Sequence, residues 1–221
     1  MRYNGLQLII DMAVRKLNLP ELNRYRDALV LGAIREDVRY LPRKRMIWEH
    51  WSLSHFSGTV LGGGFIPFLT RGAPQQAQRY FDGALNAARA GQQARAFVLL
   101  GMASHLLIDM ACPVHARRVA HWTDGYEWYI EANCASLAAL PFALADRSRS
   151  ARHTVAALAK FTQQFDADGT HHHLGLLLKW LGMRRTLPRT LLHEQASKIV
   201  PVAAGHLAAL YLHFLDTVRA A

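Results

Sequence analysis

The chain has 221 residues, of which 51% are hydrophobic and 19% are charged, a composition that supports a folded core and excludes an intrinsically disordered protein. Its length fits one domain better than two, because no linker rich in proline, glycine or serine divides it. Two cysteines, Cys112 and Cys134, are too few for a disulfide framework and are expected to be buried thiols. The net charge of +10 favours anionic partners such as phosphates, nucleic acid or acidic membrane surfaces.

Neither an export signal nor a membrane span is expected. The first helical segment, residues 1–17, is interrupted by polar and charged side chains and lacks the apolar run of a secretory signal. The longest apolar stretch, residues 96–110, is shorter than the roughly 20 residues a membrane helix needs, and it contains His105 and Asp109. We therefore expect a buried helix there and favour a cytoplasmic location.

Apolar residues recur at helical spacing along most of the chain, and strand-like alternation is almost absent, so we predict an all-α, single-domain multi-helix bundle. The first amphipathic helix should end at the break before Pro20. A second helix should begin at Pro20 and run to about Asp37, because Pro42 disfavours helix in the residue before it.

Residues 42–72 lack helical periodicity and are predicted to form a long loop. It carries a basic cluster, residues 43–45, and an apolar run, Gly62–Phe68. Long loops in compact domains are usually functional or mobile. The apolar run could pack under the domain, which is the commoner role, or contact a lipid surface.

The periodicity predicts a third helix over residues 74–90 and a fourth over residues 92–111, which is apolar on nearly every side and should be central. Asp124 is a typical N-cap for a fifth helix, with Glu127 three residues on. Two or three more helices should follow, divided at Pro141, Pro188 and Pro201. The tract His171–His173 lies in a polar turn, and a solvated loop is its expected structure.

His105 and Asp109 are four residues apart and would leave the same face of the fourth helix. Burying an unpaired charge in such an apolar helix costs on the order of several kcal/mol, even after the surrounding protein relaxes. A salt bridge between the two side chains would compensate that cost, and so would a shared cation such as zinc.

More ligand-type residues follow directly, namely His115, His121 and Glu127. Their density favours metal binding. Two simpler interpretations remain open: Glu127 could be the reciprocal half of a capping box with Asp124, and His121 could be a surface histidine.

The run from His105 through Asp109 and Pro113 to His115, followed by His121 and Tyr126-Glu127, resembles the central signature of the bacterial zinc-dependent phospholipase C family. Single-strand-specific zinc nucleases share that fold. Upstream, Gly32–Asp37 and Ser54–Phe56 resemble the segments that supply two further metal ligands in the family.

The resemblance implies a ligand set for two zinc ions. The first would be held by Asp37, His55, His105 and Asp109. The second would be held by His115, His121 and Glu127, with Glu131 as an alternative to Glu127. Gly5 stands where the family has a histidine that, with the N-terminal amine, helps to bind a third zinc. We therefore expect two zinc sites rather than three.

The resemblance also implies a reaction, zinc-dependent phosphodiester hydrolysis in which metal-bound hydroxide attacks phosphorus. Asp37 or Asp109 would orient or deprotonate the water. A phospholipid substrate and peripheral contact with a membrane are favoured over single-stranded nucleic acid. The alternative from another functional class is a non-catalytic, zinc-stabilised helical binding module.

Overall fold

The computed structural model describes residues 1–40, 46–48, 55–57, 72–119, 124–146, 150–168 and 187–220. The helices in these ranges are α1 (Tyr3–Leu17), α2 (Pro20–Arg24), α3 (Arg26–Asp37), α4 (Ala73–Arg89), α5 (Gln93–Asp109), α6 (Pro113–Ala116), α7 (Gly125–Ala132), α8 (Cys134–Ala138), α9 (Ala151–Thr162) and α10 (Arg189–Arg219). Two strands, β1 (Val38–Tyr40) and β2 (Met46–Trp48), form an antiparallel hairpin with Arg39 opposite Ile47. The predicted all-α class is confirmed, with two short strands added: β1 precedes the predicted loop and β2 lies within it.

The first predicted helix ends where expected, because Asn18 adopts the left-handed conformation (φ 45°) and its N–H donates to the carbonyl of Val14. The second predicted helix differs, since it is divided at Tyr25 into α2 and α3. At this break the Tyr25 ring stacks on Phe97 of α5, with ring centroids 4.6 Å apart. Aromatic packing between helices thus accompanies an interruption that periodicity did not reveal.

Pro201 lies inside α10 instead of ending a helix, so the predicted division there is wrong. Proline removes the N–H that would bond the carbonyl four residues earlier. The neighbouring Ile199, Val200 and Ala203 are fully buried, and their packing outweighs that single lost bond. By length and composition α10 could also cross a membrane, but 67% of its most apolar window is buried inside the protein, as in a core helix.

The central helix α5 packs against both α3 and α4. A Cβ atom on Gly32 of α3 would lie 2.0 Å from the carbonyl oxygen of Val98, and one on Gly101 of α5 would lie 2.2 Å from that of Leu29. Only glycine at both positions allows the two helix backbones to approach so closely. The close contact therefore holds α5 against α3 at Gly101, one helical turn before His105.

Candidate metal centre

The C-terminal half of α5 brings His105 and Asp109 together on one fully buried face, as their spacing predicts. The Nε2 atom of His105 lies 3.2 Å from Oδ2 of Asp109. His55, from the segment 55–57, places its Nδ1 atom 2.5 Å from the same oxygen and 3.3 Å from Nε2 of His105. These three side chains form the first ligand group.

The first ligand group fits zinc. Tetrahedral zinc with bonds of about 2.0 to 2.1 Å has neighbouring ligand atoms about 3.3 Å apart. The two distances from His105 match that spacing, and the distance from His55 to Asp109 is shorter. Two imidazoles and one carboxylate, all buried, are also a zinc donor set, and a bound cation would offset the cost of the buried carboxylate charge.

A second ligand group forms just beyond α5, where Pro113 begins α6 and the chain turns back. Glu127 places Oε1 at 3.6 Å from Nε2 of His115 and 3.5 Å from Sγ of Cys112. The ligand atoms of these three residues lie within 4.8 Å of one another. Sequence reasoning did not propose Cys112, and its position three residues before His115 was the available signal.

The α-amine of Met1 lies between the two groups. It donates to Oδ1 of Asp109 at 2.7 Å and lies 3.0 Å from Oε1 of Glu127. Asp109 therefore uses both carboxylate oxygens, one toward the histidines and one toward the amine. The Met1 side chain is buried beside Cys112, with their sulfur atoms 3.9 Å apart.

Burial and the surrounding charges oppose each other at Asp109. Burial raises the pKa of this carboxyl, but the positive charges of His105, the α-amine, His115 and His55 lower it well below its ordinary value. The Asp109 side chain is therefore a carboxylate in the folded protein.

The opposite holds for Cys112, whose thiol pKa is raised well above its ordinary value by burial and by the negative charge of Glu127. A metal ion bound there would displace the thiol proton. Asp124, the N-cap of α7, accepts a hydrogen bond from the N–H of Tyr126 at 2.9 Å. Burial and the charge of Glu127 raise its pKa well above the ordinary value.

Other predicted site residues have different positions. Glu131 accepts hydrogen bonds from the backbone N–H groups of Asn4 and Gly5, at 3.0 and 3.3 Å, and so caps the start of α1. Asp37 is the last residue of α3, and the placement of its side chain is not described. The remaining predictions fall outside the described residues, namely those on His121, residues 43–45, Gly62–Phe68 and His171–His173.

A groove of about 550 Å³ runs along α1 and α8. It is lined by Gln7, Asp11, Arg26 and Cys134 among others, and by none of the members of the two ligand groups. An ion pair between Asp11 and Arg26, 2.7 Å long, neutralises much of its charge. The candidate site is thus defined by the buried ligand cluster and not by this groove.

Comparisons with known proteins identify the family and the fold. A family model described as zinc dependent phospholipase C matches residues 7–173. The chain is similar in structure to an alpha toxin from Clostridium absonum, with 17% identity and a TM-score of 0.70 over 98% of this chain and 66% of that one. It is also similar to the alpha toxin of an avian strain of Clostridium perfringens, with 15% identity and a TM-score of 0.61 over 97% and 61% of the two chains.

The chain spans less than two thirds of the length of either toxin. At these identities, the structural likeness shows a shared fold alone. A search of curated protein sequences gave no match.

Proposed function

The chain belongs to the zinc-dependent phospholipase C family, and we propose that it hydrolyses phosphodiesters, with phospholipid as the favoured substrate. The observation that carries this proposal is the position of Asp109. One of its oxygens lies against His55 and His105, and the other lies against an amine that also contacts Glu127. A single buried carboxylate thus adjoins both ligand groups, as expected for a multinuclear centre.

The first zinc would be held by His55, His105 and Asp109, and the second by His115 and Glu127 with Cys112 beside them. Asp37 and His121 stay predicted ligands of the two sites. When bound, zinc polarises phosphoryl oxygens and lowers the pKa of water, which is the chemistry that phosphodiester hydrolysis needs.

The chain's own groups have separable tasks. Because the pKa of Asp109 is well below its ordinary value, this carboxylate is suited to hold a cation and orient the histidines rather than to accept a proton. The sequence offers Asp37 and Asp109 as candidates for proton transfer. Because the environment of Asp109 favours the ligand role, we propose Asp37 as the proton acceptor.

Two arginines follow His115, and their contacts differ. The guanidinium of Arg117 donates to the backbone carbonyls of Phe165 at 3.0 Å and Gln163 at 3.4 Å, so it ties α6 to the end of α9. Arg118, which is exposed like Arg117, has a left-handed backbone (φ 60°) and donates to the side-chain Oγ of Ser57 instead of to backbone carbonyls. Arg118 is therefore the better candidate for contacting substrate phosphate.

The proposed function is tested by zinc content and hydrolysis measured together. Elemental analysis should give about two zinc ions per chain, and a chromogenic phosphodiester should be hydrolysed by the parent protein and not after His105→Ala. His153→Ala, on an exposed position of α9, is the matched control and should change neither result. One zinc per chain with no turnover would support the zinc-stabilised binding module instead.

The substrate class needs a second measurement. Phosphatidylcholine vesicles and single-stranded DNA should be compared as substrates over a range of salt concentrations. Binding that neutralises several nucleic acid phosphates weakens steeply with salt. Preferential cleavage of DNA with a steep salt dependence would overturn the phospholipid assignment.

A further inference from the structure

We propose that Arg2, Tyr3 and Trp128, together called the rim patch, form a docking surface for a bilayer that contains anionic phospholipid. This inference rests on the proposed function and deepens it, because it assigns the surface that would bring the metal centre to its lipid. It concerns residues outside the two ligand groups.

The rim patch adjoins the ligand cluster through the chain itself. Arg2 follows Met1, whose amine lies in the cluster, and Trp128 follows Glu127. Consecutive Cα atoms are about 3.8 Å apart, so the backbones of Arg2 and Trp128 lie directly beside those of Met1 and Glu127 in the ligand cluster. The two segments also contact each other, because the guanidinium carbon of Arg2 lies 3.4 Å from the centroid of the Trp128 ring.

Exposure singles out this place on the surface. Among the described residues, the large hydrophobic side chains with high exposure are Tyr3 at 52%, Trp128 at 51%, Leu144 at 44% and Leu31 at 43%. The two aromatic members both lie within two residues of a group in the ligand cluster. Tyrosine and tryptophan are enriched at surfaces that contact proteins or a membrane interface, where one end of the side chain is covered and the other stays in water.

The chemistry of the rim patch fits a charged lipid surface. Tyrosine and tryptophan place their amphipathic rings at the headgroup level of a bilayer. Arginine binds phosphate through a planar fork of donors. Arg2 is half-buried, its Nε atom has no hydrogen-bond partner among the described residues, and the cation–π contact with Trp128 holds its guanidinium in one position. The protein's net charge of +10 adds a long-range attraction to an anionic leaflet.

The test is co-sedimentation of the full chain with vesicles, which needs no turnover. Vesicles of phosphatidylcholine with 30% phosphatidylglycerol (roughly the anionic content that gives a strong surface potential) are compared with pure phosphatidylcholine. The parent should bind the anionic vesicles at least about five-fold more strongly, and added salt should weaken that binding. Arg2→Gln should weaken it about five-fold.

Trp128→Ala should weaken vesicle binding at least as much as Arg2→Gln, and Trp128→Phe should recover part of it, since an aromatic ring is restored. Leu31→Ala, at a similarly exposed apolar position outside the rim patch, is the matched control and should bind like the parent. Thermal unfolding of each variant shows whether it is folded.

Folded Trp128→Ala and Arg2→Gln variants that bind anionic vesicles as well as the parent would overturn the rim patch, as would a parent that binds neither kind of vesicle. Failure of the proposed function looks different. In that case no phosphodiester is hydrolysed while vesicle binding and its loss in the variants are still observed.

Discussion

The α-amine of Met1 and the carboxylate of Asp109, 108 residues apart in sequence, form a buried ion pair 2.7 Å long. The same carboxylate contacts His55 and His105 through its other oxygen. Asp109 is therefore the side chain on which the first helix, the central helix and the segment 55–57 all converge. Its replacement should affect metal binding and stability together.

Asp109→Asn should lose most bound zinc and lower the free energy of unfolding by about 3 kcal/mol or more, because a buried amine and two histidines lose their anionic partner. For a chain of this size that corresponds to a fall in melting temperature of roughly 10 °C. Asp27→Asn is the control, because this carboxylate is 93% exposed. Full zinc content and an unchanged melting temperature in Asp109→Asn would contradict the assignment.

Glu127 and Asp124 allow capping and ligation to be separated. Asp124→Ala removes the bond to the N–H of Tyr126 and should cost about 1 kcal/mol, with zinc content retained. Glu127→Gln keeps the side-chain shape but removes the charge beside the α-amine and His115, so it should lose the second zinc. Elemental analysis of both variants decides the matter, and the second site is wrong if Glu127→Gln binds as much zinc as the parent.

The close crossing of α3 and α5 gives a prediction about packing. Gly101→Ala would place a methyl group 2.2 Å from the carbonyl oxygen of Leu29, and should destabilise the protein by about 1 to 3 kcal/mol. Gly83→Ala is the matched control, because its Cβ would meet only the Leu99 side chain at 3.5 Å. Chemical unfolding should show the control unchanged or up to about 1 kcal/mol more stable. Equal stability of the two variants would mean that the helices separate without cost.

The family resemblance predicts a histidine at the position of Gly5, and a substitution there tests that prediction. A Cβ there would lie 3.0 Å from Sδ of Met1 and 3.2 Å from Cγ2 of the buried Ile130, so both side chains must shift slightly to admit it. Because the amine of Met1 already lies in the cluster, the imidazole of Gly5→His should reach it and raise zinc content. Gly5→Ala measures the steric effect alone, and zinc content that is equal in both variants would show that the imidazole does not bind metal.

The free energy of unfolding of the protein should depend on pH through His206, a residue of α10 whose pKa is lowered mainly by burial. The unfolded chain then takes up a proton at a higher pH than the folded one, so the free energy of unfolding falls as the pH drops below about 6.5. His206→Gln should flatten this dependence in chemical unfolding between pH 8 and 5.5. Burial also lowers the pKa of His213, so part of the pH dependence should remain in His206→Gln. Parallel pH profiles for parent and variant would contradict this origin.

The sequence predicted those parts of the site that depend on local spacing. His105 and Asp109 share a face because they are one helical turn apart, and Asp124 caps α7 because its side chain reaches the N–H of Tyr126. His55 is predicted as a ligand only by the family resemblance, because no local sequence pattern relates it to α5.

The remaining features depend on tertiary packing. The sequence predicts Cys112 only as a buried thiol, because its place three residues before His115 does not by itself show that both side chains meet Glu127. The break at Tyr25 and the continuity of α10 through Pro201 are set by neighbouring helices, and local rules for helix ends do not include those neighbours.

The way α1 is held has a consequence for the order in which the chain folds. The α-amine of Met1, just before α1, lies between Asp109 and Glu127. Glu131 caps the first turn of α1, and one face of α1 packs against α10. During synthesis α1 is made before its partners, and the metal cluster cannot form beside it until the chain has reached at least residue 127. Until α10 follows, its apolar face also lacks its main cover. We expect the apolar face of α1 to be open to chaperones until α10 has been synthesised, and α1 to complete its docking only then.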